Sequence, residues 1–214
     1  MRSTGLTVLL LGVIVIALSA CALPPHYNVL ENGQVVPPEQ TLLIAKFQLD
    51  PYLEQGDLPI YMGTAARKRG EMFVMIYPDR NIPYDQGAMM PLPLADAISA
   101  NINFIDTSFL PLPTGSKFIR YGTVDQAVTG MYDGRTMTTT SQTLDLMGDV
   151  EIDLPQNTKA VYAGTITWHY EKGKISVKDE YETALRDLDK AKVPGITSKS
   201  VVKKLAKVHP PNLK

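Results

Sequence analysis

The sequence predicts an α+β protein, mainly antiparallel β and sandwich-like, with two helices at its C-terminal end. Two observations predict the β part: the strict polar and apolar alternation from Asp149 to Leu154, and the long apolar strand from Ala160 to Tyr170. A third is a pair of amphipathic stretches with helical spacing after residue 178. Strands and helices do not alternate as in a βαβ unit, so a parallel sheet is not expected.

The first 20 residues have the layout of a secretory signal peptide, with Arg2 ahead of an apolar stretch from Leu6 to Leu18. That stretch has about 13 residues, whereas a membrane-spanning helix needs about 20, so a retained anchor is not expected. The run Leu18-Ser19-Ala20-Cys21 resembles the lipobox of bacterial lipoproteins. The resemblance implies cleavage between Ala20 and Cys21, a diacylglycerol on the Cys21 thiol and, usually, an acylated amino group.

This resemblance also implies a location. Each buried methylene of an acyl chain contributes about 0.8 kcal/mol, so several chains attach a protein firmly to a membrane. Ala22 stands where an aspartate is associated with inner-membrane retention in some bacteria. The implied place is therefore the outer membrane, facing the periplasm, or the cell exterior in a single-membrane bacterium. Lipidation uses the only cysteine, which leaves no thiol for a disulfide or a metal.

The charge of the mature chain is uneven. Cleavage would leave 194 of the 214 residues, enough for one sizeable domain. Without Arg2 the chain has 20 basic and 22 acidic residues, a net charge of −2. The segment from Lys190 to Lys214, however, holds seven lysines and no carboxylate. This pattern is typical of a basic tail for an acidic partner, and the net charge gives no reason to expect nucleic-acid binding.

Residues 21–40 are predicted to form a lipidated tether. Four prolines bracket a polar segment within them: Pro24, Pro25, Pro37 and Pro38. This composition favours extended and turn conformations over a packed element. We expect the β-rich domain over residues 41–178, and the C-terminal helices with the basic tail over residues 179–214.

In the first half of the domain, Thr41 to Leu49 alternates as a half-buried strand does, and Glu71 to Tyr77 is apolar on both faces, as in a central strand. Residues 78–115 contain six prolines and are predicted to be rich in loops. Within them, only a helical turn near Leu94 to Ala100 is expected.

In the second half, Ser116 to Tyr121 is a strand candidate. Asp133-Gly134 is the strongest hairpin signal, because this pair readily takes the positive φ angles of a type I′ turn. Thr136 to Thr143 has many β-branched but few apolar residues, which predicts an exposed or edge strand. A second hairpin turns at Lys172-Gly173 into Ile175 to Val177.

The two C-terminal helices are predicted from apolar stripes. Asp179 is placed to cap the first helix, whose stripe is Tyr181, Ala184, Leu185 and Leu188. The second runs from Ser198 to Val208, and its apolar stripe is Val201, Val202, Leu205 and Val208. Its basic side is formed largely by Lys199, Lys203, Lys204 and Lys207. These four lysines are the candidate contacts for a partner. The apolar side has no aromatic anchor, which favours packing on the domain over binding to a membrane surface.

No catalytic residue, metal site or cofactor is predicted. The three histidines do not have the close spacing of zinc ligands: His26, His169 and His209. His169 is interpreted as a surface or hairpin-end residue. Three carboxylates project from one strand face and are interpreted as a solvated acidic face: Asp149, Glu151 and Asp153. Ser200 and Lys203 fit an S-x-x-K spacing, but the companion elements of penicillin-binding enzymes are absent.

The predicted strand from Ala160 to Tyr170 is expected to present Tyr162, Ile166, Trp168 and Tyr170 on one face, and three of these residues are aromatic, namely Tyr162, Trp168 and Tyr170. Aromatic side chains on a long apolar strand usually belong to the core. If exposed, they would instead indicate glycan or peptide recognition.

The leading functional hypothesis is a non-catalytic envelope lipoprotein that binds or supports another envelope protein through a sheet edge or the basic tail. The mature domain also resembles uncharacterised β-sandwich lipoproteins of bacterial envelopes, on the strand from Val161 to Ile166 and the helix after it. The alternative is a hydrolase of cell-wall or lipid substrates that uses paired carboxylates, and a small-ligand carrier is a third possibility. Carboxylates converging in a deep cleft would favour the enzyme, and a filled core the binding role.

Cys21→Ser is expected to abolish lipid attachment, because the hydroxyl replaces the thiol that the lipobox resemblance implicates. Mass spectrometry of the amino-terminal peptide and partitioning between membrane and soluble fractions would measure this. Unchanged membrane association of the variant would contradict the interpretation of the leader.

Overall fold

The computed structural model describes residues 24–52, 61–62, 65–66, 71–82, 84–85, 90–91, 97–104, 106–132 and 136–210. The predicted signal peptide, the lipobox and the Asp133-Gly134 turn lie outside these residues. The described strands are β1 (His26–Asn28), β2 (Gln40–Asp50), β3 (Tyr61–Met62), β4 (Ala65–Ala66), β5 (Glu71–Tyr77), β6 (Tyr84–Asp85), β7 (Met90–Pro91), β8 (Ile98–Asn103), β9 (Thr107–Pro113), β10 (Gly115–Tyr132), β11 (Thr136–Leu154), β12 (Ala160–His169), β13 (Lys174–Lys178), β14 (Val201–Lys203) and β15 (Lys207–Val208). Helix α1 spans Tyr181–Ala191, and 3-10 turns span Tyr170–Lys172 and Ser198–Ser200.

Most strands belong to two sheets. The first has the order β1-β8-β5-β10-β11-β15, and the second the order β13-β12-β2-β9, with β14 also on β12. Most neighbours are antiparallel, but β12 pairs in parallel with β2 and with β14, and β1 with β8. The predicted β-rich class is confirmed, with mixed rather than purely antiparallel sheets. One hydrophobic cluster contains residues of both sheets, including Phe47, Val74, Ile119, Val150 and Trp168.

Strand β2 is buried on both faces, although its sequence predicts half-burial. Leu43 and Phe47 join the cluster shared by the sheets. Leu42 and Ile44 face the other way and pack with Leu188 of α1 in a second cluster. The apolar residues at both sets of positions therefore fit a central strand, with one face on the shared core and part of the other under the helix.

A β-bulge in β12 changes which face its side chains take. The register with β2 shifts between Tyr162 and Gly164. Tyr162 consequently packs in the helix-side cluster, whereas Ile166 and Trp168 belong to the shared core. The prediction that these three aromatic and apolar residues share one face is therefore wrong, because an extra residue reverses the alternation that follows it.

Helix α1 confirms the first predicted C-terminal helix. Ala184 and Leu188 are buried, and Tyr181 and Leu185 pack against the same cluster. Asp179 accepts a hydrogen bond from the backbone N–H of Tyr181 at 3.2 Å, which satisfies one donor at the start of the helix.

The second predicted C-terminal helix is not confirmed. Within Ser198 to Val208 only Ser198–Ser200 is helical, as a 3-10 turn, and β14 and β15 follow it. Most of the predicted apolar stripe is solvent-exposed: Val202, Leu205 and Val208. Valine has a higher propensity for strands than for helices, and the backbone of this segment finds partners on two sheets.

Residues 78–115 contain more strand than their prolines predict. Ile98 to Ala100, expected near a helical turn, belong to β8, which pairs with β5. Pro111 and Pro113 lie in β9, the last strand of its sheet. An edge strand tolerates proline because its outward positions donate no ladder hydrogen bond.

The described part of the predicted tether, residues 24–40, packs on the body. His26–Asn28 forms β1 beside β8, and the Leu30 amide donates to the Phe109 carbonyl at 2.8 Å. Leu30 and Val36 pack against the helix-side cluster. Apolar residues between the prolines thus give this segment contacts that its proline content alone does not suggest.

Strands β10 and β11 form one long hairpin that includes the predicted strands from Ser116 and from Thr136. β5 pairs with β10 only from Phe118 to Thr123. After the pair of Val124 with Leu144, β10 and β11 continue through eight register pairs, from Asp125 with Thr143 to Tyr132 with Thr136. We call these two segments, 125–132 and 136–143, the ribbon. In the described part of the chain, no other strand pairs with the ribbon.

Gly164→Ala is expected to destabilise the protein by at least about 2 kcal/mol. Gly164 has φ +103°, and an added Cβ would lie 2.7 Å from Val177 Cγ1 and 3.1 Å from the Lys178 carbonyl oxygen. Urea unfolding followed by circular dichroism measures the change. Gly173→Ala is the matched control, because its φ is +57° and nothing lies within 4 Å of its added Cβ. Equal effects of the two substitutions would contradict this account of the bulge.

Candidate functional site

The basic tail crosses from one sheet to the other. Val201–Lys203 pairs with β12, and the amides of Lys204 and Ala206 donate to the carbonyls of Tyr162 and Ala163 at 2.9 and 2.8 Å. Lys207–Val208 then pairs with β11. The tail therefore joins the edges of both sheets through its backbone.

The lysines predicted to bind a partner make mostly internal contacts. Lys203 pairs with Asp179, Lys204 with Asp153, and Lys207 with Glu151 at 3.4 Å. Lys199 is exposed on the 3-10 turn. Three of the four positive charges thus already lie beside carboxylates of the same chain.

The segment of β11 from Asp149 to Asp153, which we call the acidic strand, supplies the carboxylates that contact this tail. Asp149 is 1% exposed, and its Oδ2 accepts from Arg80 Nε at 2.6 Å. Glu151 Oε2 lies 2.7 Å from His209 Nε2, and this hydrogen bond, with Lys207, lowers the pKa of Glu151. The interpretation of Asp149, Glu151 and Asp153 as a solvated face is therefore wrong, because basic groups from elsewhere in the chain cover them.

This arrangement gives no support to paired catalytic carboxylates. Each carboxylate of the acidic strand faces a basic side chain. Among the described residues, no group of three or more His, Cys, Asp or Glu side chains is placed to hold a metal ion. No helix in the described ranges combines the length and the apolar character needed to cross a bilayer.

The aromatic residues of β12 and of the 3-10 turn after it pack in or against the core, as predicted. Trp168 is 2% exposed and stacks on Phe47, with ring centroids 6.2 Å apart. Tyr162 is buried, and its hydroxyl accepts from the Glu180 amide at 2.6 Å. Tyr170 is partly buried against the shared core. These side chains do not form a recognition platform.

A polar group on the outer face of the second sheet was not predicted. His169 Nδ1 lies 2.5 Å from Asp50 Oδ2, and His169 Nε2 lies 2.8 Å from Ser176 Oγ. His169 is 27% exposed, so its prediction as a surface histidine describes its location but misses its partners. A cavity of about 420 Å³ adjoins Asp50 and His169 and is also lined by Tyr52 and Phe104. We call Asp50, His169 and Ser176 the polar triad.

The strand lengths and register position the polar triad. Asp50 and His169 are register partners at the ends of β2 and β12, and Ser176 on β13 is the partner of Thr167, two residues before the histidine. Asp50 is 119 residues from His169 in sequence. Alternation within Lys174–Lys178 does predict that Ser176 faces outward, but no local pattern places it beside a histidine.

Comparisons of the chain with protein-family models, with curated proteins and with solved structures found no match.

Glu151→Gln is expected to lower the free energy of unfolding at pH 7 by about 1–2 kcal/mol, because it removes a charged hydrogen-bond acceptor for His209 and Lys207. Folding lowers the Glu151 pKa below its ordinary 4.5, so its contribution is present above that pH and is lost as the pH falls through the lower folded value. The variant should therefore lose less stability than the native protein on acidification below about pH 4.5.

Urea unfolding measured from pH 7 to pH 3 checks this prediction. Glu171→Gln, at an exposed position in a 3-10 turn, serves as the control and should change the stability by less than about 0.5 kcal/mol. Superimposable pH curves for the native protein and Glu151→Gln would show that the tail contact does not stabilise the fold.

Proposed function

We propose that this protein is a lipid-anchored component of the bacterial envelope with a binding role. Its ribbon binds an extended segment of another envelope protein, which adds as a further β-strand. The observation that carries this proposal is the continuation of β10 and β11 through eight register pairs beyond the strands that flank them at the base. In this proposal, the two sheets form a sandwich-like body, and the ribbon extends from it.

The backbone of the ribbon favours strand addition. An edge strand presents unpaired N–H and C=O groups, and an extended peptide can satisfy them. Residues 125–143 contain three charged side chains, Asp125, Asp133 and Arg135. Recognition would therefore rely on main-chain hydrogen bonds and on threonine and apolar side chains rather than on charge.

The tail is the weaker candidate for the same role. Lys203, Lys204 and Lys207 already pair with carboxylates of this chain, and an acidic partner would have to displace them. The backbone of the tail is also engaged on both sheets. Of the two surfaces that the sequence suggests, the sheet edge is the one that the described strands leave unpaired along the ribbon.

The direction of the strands supports a role away from the bilayer. His26 follows Cys21 by five residues, which span at most about 18 Å, so a lipid on Cys21 would hold the start of β1 near the membrane. Tyr121 is level with His26 in the sheet through the register of β8 and β5. β1 and β10 run in the same direction, so β10 continues for about 36 Å from Tyr121 to Tyr132 and carries the ribbon away from the anchored end.

Shortening the ribbon is expected to abolish partner binding. In this variant an Asn-Gly pair replaces residues 126–142, which joins Asp125 to Thr143 by a two-residue hairpin turn and leaves the β5 and β15 contacts intact. The double substitution Thr129→Ala and Thr139→Ala is the control, since it changes one cross-strand pair and keeps the backbone edge. Purification from crosslinked, detergent-solubilised envelopes, with quantitative mass spectrometry, compares the three proteins.

The binding surface is then located with a photo-crosslinking amino acid at Thr129, at Thr139 or at Lys199. Adducts with one envelope protein at the ribbon positions, lost in the shortened variant, are the expected result. Adducts at Lys199 alone, or a partner retained by the shortened variant, would assign binding to the tail and overturn the role of the ribbon.

A further inference from the structure

We propose that the polar triad is an ester-hydrolysing site in which Ser176 is the nucleophile, His169 the general base and Asp50 the positioning residue. This activity is separate from partner binding by the ribbon. It also differs from a hydrolase with paired carboxylates, because the attacking group is a hydroxyl on β13.

The hydrogen-bonding chemistry fixes the role of each group. An ionised carboxylate can only accept, so the Nδ1–H of His169 donates to Asp50 Oδ2 over 2.5 Å. In the neutral imidazole Nε2 is then an acceptor, and the Ser176 hydroxyl donates to it over 2.8 Å. Both distances lie within the range in which a base can take the proton of its nucleophile. The carboxylate, imidazole and hydroxyl stand in the order that nucleophilic serine catalysis requires.

Regular backbone holds these groups. Asp50 and His169 end two paired parallel strands, and Ser176 lies within β13, which pairs with the same part of β12. Groups on paired strands keep their separation better than groups on loops, and orientation is a large part of catalytic rate. The pairing of the strands thus fixes the backbone positions of the three residues.

A cavity adjoins the Asp50 and His169 end of the polar triad, and an apolar part of an ester held at Ser176 would have to extend past His169 to reach it. The cavity has a volume of about 420 Å³, with Leu49 and Phe104 in its wall and Gln48 and Thr167 as polar neighbours. Lys174 shares the exposed side of β13 with Ser176, two residues away.

The reaction needs only the ester and water. Ser176 Oγ bonds to the carbonyl carbon while its proton moves to His169 Nε2, and the carbon–oxygen bond of the ester breaks. The alcohol leaves with the proton from Nε2, and the acyl group remains on Ser176. Water then attacks the acyl group and gives a proton to Nε2, which returns it to Ser176 as the carboxylic acid departs.

The full-length lipidated protein in detergent is treated with a biotinylated fluorophosphonate, and the labelled peptide is identified by mass spectrometry. Hydrolysis of p-nitrophenyl acetate and p-nitrophenyl butyrate is measured in parallel. We expect a single label on Ser176 and hydrolysis of both esters. Ser176→Ala and His169→Gln should each reduce the hydrolysis rate at least about 100-fold. Ser116→Ala, at an exposed serine of β10, is the matched control and should keep the native rate.

Asp50→Asn tests the positioning role. It should slow labelling and lower kcat for p-nitrophenyl acetate more than it changes KM, because the carboxylate orients the imidazole and does not contact the ester. Circular dichroism and thermal unfolding show whether each variant is folded, and Ser176→Ala, which removes one oxygen from an exposed strand position, keeps the test valid if His169→Gln does not fold. Absence of label on Ser176, equal labelling of Ser116, or unchanged hydrolysis by Ser176→Ala would overturn the proposal.

Discussion

The structure depends on the parallel pairing of β2 with β12 and on the bulge at Gly164 that interrupts it. Before the bulge, even-numbered residues of β12 face helix α1, as Tyr162 does, and after it they face the shared core, as Trp168 does. The same reversal turns Thr167 and His169 to the outer face, where Asp50 and Ser176 meet them. One glycine with φ +103° therefore sets both the helix contact and the polar triad.

The C-terminal tail is the second feature that connects the two sheets, through its backbone pairing and its charged side chains. The seven lysines after residue 189 stand out in the sequence as a candidate basic surface, and the acidic strand stands out separately. In the structure the two meet, with Lys204 on Asp153, Lys207 on Glu151 and His209 beside them. β14 and β15 lie on different sheets, so the tail and its ion pairs connect the two sheets along one side of the protein. The sequence pattern predicts that these lysines bind an external partner, but several of them pair with carboxylates of the same chain.

The sequence patterns predicted those elements whose conformation depends mainly on residues close in sequence. β5, the strand from Asp149, β12 and α1 all follow from the spacing of their apolar residues. The incorrect or missing predictions concern features whose conformation depends on residues far away in the sequence. Ser198 to Val208 has a helical stripe, but edges of both sheets are available to it, and pairing determines its conformation. The polar triad joins residues 119 positions apart, which no motif of fixed spacing can reveal.

The proposed binding by the ribbon would link binding closely to folding. A two-stranded hairpin is only marginally stable in water unless a hydrophobic face or a further strand supports it. At its base, β5 and β15 flank the hairpin, and Ile119, Val124 and Val150 lie in the core. Through its outer eight pairs, the described chain supplies no third strand. A bound strand would supply the missing hydrogen bonds, so part of the binding free energy would be used to order the ribbon itself. Affinity for such a partner would then depend on the length of ribbon that the partner pairs with more than on any single side chain.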